Sequence, residues 1–289
     1  MIELENVTKT FRRTKVLDGL SLTIEQGDRI ALIGSNGAGK TTMIRCILGE
    51  YVFDGDVLID GVSPRAHRTT VLQKVAFVPQ MPPPLGMPVW DLVDFAARLC
   101  HTSHERIGSI AERMGLDIDE VRSRPFMKLS GGQKQKLLIA IAMGRDADVL
   151  IMDEPTANLD PAARQILFDL LAERLDKSMI ISSHRLEEVA MLVNRVIEMD
   201  RGKVVLDDRV EDAVDPGLRQ KVRIRLRRPD DAFARAIGEW DFSSSGDGET
   251  WEGVIPGPDK LRFLGMVARY AGILAQMEMN DMAREKTDA

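Results

Sequence analysis

Apolar residues in this chain come in short runs separated by longer stretches of helical periodicity. The runs predict strands at Glu3–Val7, Leu20–Ile24, Arg29–Ile33, Val57–Ile59, Val75–Val78, Val149–Met152, Met179–Ser182, Val196–Met199 and Lys203–Leu206. Within them, Ile30–Ile33, Val75–Val78, Val149–Met152 and Met179–Ser182 are almost purely apolar, as strands buried on both faces are. Strands alternating with helices imply an α/β fold with a largely parallel sheet. About residues 88–145 show helical periodicity and no strand pattern, which predicts a helical insert.

The pattern changes after an acidic stretch that ends in Asp215-Pro216-Gly217. Val222, Ile224 and Leu226 then alternate with Arg223, Arg225 and Arg227, the period of a half-buried strand over Lys221–Arg228. A helix over Asp230–Trp240, a strand over Trp251–Ile255 and a helix over Asp259–Met279 are expected to follow. The domain expectation is therefore a main domain over residues 1–212, a small α+β accessory domain over 218–282 and a disordered tail over 283–289.

Composition narrows the class. A hydrophobic fraction of 44% with 29% charged residues is ordinary globular usage. A net charge of −6 argues against a duplex-coating protein, so no nucleic-acid partner is expected. Cys46 and Cys100 lie far apart without metal-ligand spacing. The start Met1-Ile2-Glu3-Leu4-Glu5 lacks signal-peptide character, and no apolar run reaches the ~18 residues of a spanning helix. If the protein works at a membrane, another chain is expected to span it.

Three motifs carry chemistry. Gly34-Ser35-Asn36-Gly37-Ala38-Gly39-Lys40-Thr41 follows a buried strand and opens a helical run. Its glycines let successive N–H groups converge on phosphate oxygens at a positive helix end. Lys40 would neutralise the β- and γ-phosphates, and the Thr41 hydroxyl would ligate Mg²⁺. Asp153 and Glu154 end an apolar strand. Alone they are the pattern of a solvated strand edge. Beside a phosphate loop, Asp153 fits the magnesium shell and Glu154 can polarise an attacking water. Ser130-Gly131-Gly132-Gln133 opens another helical run. It reads either as a capped helix after a turn or as a second anion receptor. Two receptors for one triphosphate are most simply reconciled by two chains head to tail.

Gly34–Thr42, Leu129–Gln133, Val149–Glu154 and Asn158-Leu159-Asp160 resemble the ATP-binding subunit of an ABC transporter. Gln80 and Ser183-His184 recur in the family's order, and the resemblance spans about Met1–Asp207. It implies a P-loop NTPase of ABC type with an antiparallel β subdomain, a helical insert and, here, a small C-terminal α+β appendage. It further implies that Phe11 stacks on adenine, that Gln80 contacts metal or water, that His184 bonds the γ-phosphate, and that Asp160 lies at a dimer seam. ATP and Mg²⁺ would bind Gly34 through Thr42, with Ser130, Gly131, Gly132 and Gln133 coming from a facing chain. Thr41, Gln80 and Asp153 would hold the metal, while Glu154, His184, Gln80 and Lys40 would serve catalysis. One departure is Ala140-Ile141-Ala142-Met143, where many members have Ala-Arg-Ala-Leu. The expected function is ATP hydrolysis by a homodimer at the cytoplasmic face of a membrane, driving an integral permease subunit, with the ABC-2-type exporter group favoured. The competing function is a soluble mechanochemical ATPase acting on ribosome or DNA.

Overall fold

The computed structural model describes residues 1–183, 186–209, 219–238, 240–256, 263, 266–267 and 270–281. The chain forms two compact units, Met1–Val210 and Glu211–Ala289.

In the first unit the chain runs through β1 (Ile2–Phe11), β2 (Thr14–Ile24), β3 (Arg29–Ile33), α1 (Lys40–Ile47), β4 (Asp54–Ile59), α2 (Arg68–Lys74) and β5 (Val75–Val78). Four helices follow without a strand: α3 (Val89–Leu99), α4 (His104–Arg113), α5 (Ile118–Val121) and α6 (Gly131–Gly144). Then come β6 (Val149–Asp153), α7 (Pro161–Ala172), β7 (Ser178–Ser182), α8 (Leu186–Val189), β8 (Arg195–Asp200) and β9 (Lys203–Arg209).

The main sheet has the order β5-β6-β7-β3-β8-β9, parallel except for the β8–β9 hairpin. A separate antiparallel sheet has the order β2-β1-β4. The apolar runs serve two cores because side chains alternate across a strand. Val149 and Ile151 join α1 and the antiparallel sheet, whereas Leu150 and Met152 face the packed residues of α3, α4, α6 and α7. Burying a side chain of this size contributes about 1.5–3 kcal/mol, which is why these strands tolerate so little polarity.

Arg195 joins the layers from an almost fully buried position. It donates to Asp28 at 2.6 Å, to the Thr23 carbonyl at 2.8 Å and to both oxygens of Asp207 at 2.7 Å. These bonds hold the Asp207 carboxyl below its ordinary range.

The second unit contains β10 (Arg219–Leu226), α9 (Asp231–Gly238), β11 (Ser243–Ser244), β12 (Thr250–Pro256) and β13 (Leu274–Asp281). They make an antiparallel sheet of order β11-β12-β10-β13 around Val222, Ile224, Leu226, Phe233 and Ile255. The helix expected over Asp259–Met279 is corrected here, because its last part is strand. Met277 and Met279 pair with Ile224 and Val222 of β10, and Gln276, Glu278 and Asn280 alternate with them. That is a period of two, and a central apolar partner strand decides in its favour. The stretch between the two expected domains, residues 213–217, and the expected tail over 283–289 lie outside the described residues.

Candidate functional site

β3 delivers the chain into the phosphate loop, which turns through positive φ at Gly34 (143°), Gly37 (84°) and Gly39 (109°) before α1 begins at Lys40. Gly34 is irreplaceable on steric grounds, since a Cβ there would lie 2.3 Å from the Met199 carbonyl oxygen. The β8–β9 turn therefore rests directly on the loop, and Gly202 N–H donates to the Ala38 carbonyl at 2.9 Å. Lys40 is 7% exposed, and its ammonium donates to the carbonyls of Gly34 at 2.7 Å and Ser35 at 3.4 Å.

A cleft of about 180 Å³ opens over this loop. Its walls are Val16, Ser35, Asn36, Gly37, Ala38, Gly39, Lys40, Thr41, Thr42, Gln80, Asp153 and Glu154. The topology explains the gathering: β5 ends just before Gln80, β6 ends at the carboxylates, and β3 ends at the loop, all at the C-terminal edge of one parallel sheet. Asp153 is 1% exposed and Glu154 8%. Glu154 takes φ of 49°, a left-handed conformation costly for a residue with a side chain. This bend lets two consecutive acids line the same cleft instead of pointing to opposite faces.

Ser182, at the end of β7, sits opposite Asp153 in the ladder. Its hydroxyl donates to Asp153 Oδ1 at 2.6 Å and accepts the Glu154 N–H at 2.8 Å. Sequence reading treated Ser182 as the last residue of an apolar strand; a hydroxyl at the C-terminal end of a buried strand was the available signal. Val16 was also missed, because nothing in a hairpin valine announces a place in the cleft wall.

The Ser130 group lies elsewhere. Ser130 caps α6 in a reciprocal box: its Oγ accepts the Gln133 N–H, and the Gln133 side chain accepts the Ser130 N–H, both at 3.1 Å. Ser130 and Gly131 are exposed, and Ser130, Gly131, Gly132 and Gln133 are not among the walls of the cleft. The start of α6 instead packs on the segment that follows Glu154. A Cβ on Gly132 would lie 3.1 Å from the Asn158 carbonyl oxygen, and the buried Gln135 amide donates to the Pro155 carbonyl at 3.2 Å. Asp160 caps α7 through the Ala163 N–H and pairs with Lys136 of α6 at 3.1 Å. The Ala163 N–H, then Lys136, hold its carboxyl below the ordinary value of 3.8. Asp160 is not among the walls of the cleft, and neither is Phe11, which is 39% exposed. His184 lies outside the described residues; Ser183 before it is buried, its N–H bonded to the Leu32 carbonyl. Ile141, where many members carry arginine, packs half-buried on the helical core.

A family model described as ABC transporter matches residues 17–157. The SkfA peptide export ATP-binding protein SkfE of Bacillus subtilis is 34% identical over 251 residues, covering 83% of this chain and 98% of that protein. The chain belongs to the ABC transporter family. Within that family it is an ATP-binding, ATP-hydrolysing subunit. The Nod factor export ATP-binding protein I of Burkholderia lata is 28% identical over 300 residues, covering 97% of this chain and 98% of the relative. Among solved structures, the ATP-binding cassette MJ0796, a post-hydrolysis dimer bound to ADP and Pi, shares the fold with a TM-score of 0.66. It is 22% identical and covers 73% of this chain and 99% of that one.

Proposed function

We propose that two copies of this chain close head to tail around two ATP molecules, each held by the phosphate loop of one copy and the Ser130-Gly131-Gly132 turn of the other. The observation that carries this reading is the split geometry: Lys40, Gln80, Asp153 and Glu154 share one cleft, while the capped and exposed start of α6 stands outside it. Lys40 and the loop N–H groups bind the phosphates, and Glu154 orients and deprotonates the attacking water. Phe11 stacks on adenine, His184 bonds the γ-phosphate, and Asp160 holds the start of α7 at the seam. Thr41, Asp153 and Gln80 are hard oxygen donors opening on one cleft, a set suited to Mg²⁺. When bound there, the ion neutralises charge on the β- and γ-phosphates. ATP favours the closed pair because only that state supplies both halves of its site, and hydrolysis removes the bridge.

The work is delivered to an integral permease subunit at the cytoplasmic face of the membrane. No helix among the described residues is long and apolar enough to cross a membrane. The docking place of the permease subunit is an apolar groove lined by Leu72, Phe77, Leu99 and Cys100. In the segment from Met81 to Trp90, Leu85, Met87 and Trp90 pack on the helical core, while Met81 is 77% exposed. Export is the favoured direction, supported by two export ATP-binding proteins whose length this chain covers to 98%.

The test is assembly of the full-length Glu154→Gln protein followed by light scattering. Dimers should form with ATP and not with ADP. A protein that stays monomeric with saturating ATP, while the native chain hydrolyses it at full rate, would overturn the shared site.

A further inference from the structure

At the far end of β1 the chain gathers aromatic and cationic side chains into one cluster. The rings of Phe11 and Tyr51 meet edge to face, 5.2 Å between centroids and 83° between planes. Lys9 Nζ lies over both rings, 4.7 Å from the Phe11 centroid and 5.4 Å from that of Tyr51. It is pinned there by donating to the Val52 carbonyl at 2.6 Å. Arg45, in the last turn of α1, sets its guanidinium 5.7 Å from the Tyr51 ring. Tyr51 itself is half-buried against the core that holds α1.

An exposed phenylalanine near a strand end would ordinarily keep much of its rotamer freedom, which a ligand must then remove on binding. Phe11 has already lost that freedom: an aromatic partner and a fixed cation constrain it, yet 39% of the residue stays open to solvent. A cation over the ring also draws π-density toward itself, which favours stacking of an electron-rich base on the remaining surface.

We propose that Tyr51 and Lys9 are positioning residues that hold Phe11 as a preformed platform for the adenine ring of ATP. The proposal rests on the stacking role given to Phe11 above. Through Arg45 the platform is linked to α1, so the base and the phosphates are referred to one rigid helix. Tyr51 does not touch ATP; it acts through Phe11.

The experiment is calorimetric titration of the full-length chain and its Tyr51→Ala, Tyr51→Phe and Phe11→Ala variants. The probes are ATP and inorganic triphosphate, which has no base. Tyr51→Ala should weaken ATP about threefold to tenfold, leave triphosphate unchanged, and raise KM without lowering kcat at saturating ATP. Tyr51→Phe should restore native affinity. Equal weakening of both probes would show a merely structural role and overturn the proposal. So would native ATP affinity in Tyr51→Ala while Phe11→Ala binds weakly. Native affinity in Phe11→Ala would remove the stacking role itself, and this proposal with it.

Discussion

The helices that begin at Lys40 and at Gly131 both start from glycine-rich turns, yet they treat their first N–H groups in opposite ways. α1 is entered through Gly39, which brings no side chain to cap it, and its start is walled in by Asp153, Glu154 and Gln80. α6 is entered through Ser130, which closes a complete capping box with Gln133 and stays exposed. The first turn leaves donors for a phosphate within its own chain. The second is satisfied locally and offers its surface outward. On the proposed reading, one fold carries an inward and an outward anion receptor, and the difference in capping, more than the shared glycines, separates their roles.

The contrast can be broken most forcefully at the acids. Glu154→Gln should lower hydrolysis by about 10²- to 10⁴-fold while ATP still binds, measured by phosphate release against equilibrium binding. Loss of binding instead would make Glu154 part of the receptor and not of the chemistry.

Next in size is Ser130→Asp, which keeps a good N-cap but sets a negative charge on the outward receptor. Turnover should fall on the order of a hundredfold from like-charge repulsion, with little change in Tm. Mixing this variant with Lys40→Ala should recover activity, because one of the two composite sites in the mixed pair is intact. A site complete within one chain predicts no recovery.

A smaller effect sharpens the inward side. Ser182→Ala removes the bond to Asp153 and orphans the Glu154 N–H, a loss of about 1–3 kcal/mol. A fall in kcat of about tenfold is expected, seen in steady-state assays at saturating ATP.

The smallest effect belongs to Asp160. Asp160 has a folded-state pKa below its ordinary 3.8, so its stabilising contribution is complete above that value and is lost as pH falls through the lowered one. Asp160→Asn should therefore differ from the native protein in urea midpoint at pH 7, with the gap closing toward pH 3. A gap independent of pH would mean that charge at Asp160 plays no part.

The inward receptor was largely legible in the sequence, because a buried strand, a glycine turn and a helix start are contiguous from Arg29 to Ile47. The acids were legible for the same reason. What could not be read was strand order: β7 lies between β3 and β6, so Ser182 meets Asp153 through a neighbour relation that no local pattern encodes. The positive φ at Glu154 was equally hidden, since glutamate is not a residue that signals it. β13 failed differently. Its methionines suit a helix or a strand, and only pairing with Val222 and Ile224 settles the matter.

The resting of the phosphate loop on the β8–β9 turn has a genetic consequence. Every motif residue up to Asp160 is encoded well before Met199 and Gly202, yet the loop is backed by Met199 and bonded through Gly202. A premature stop codon between these stretches should yield a polypeptide with the phosphate loop, both acids and the Ser130 turn, but unable to retain nucleotide. Retention of a fluorescent ATP analogue by such a fragment would show that the missing strands are dispensable. Frameshift alleles between Asp160 and Met199 are thus expected to behave as complete losses, even when sequence alignment shows the ATP motifs before them untouched.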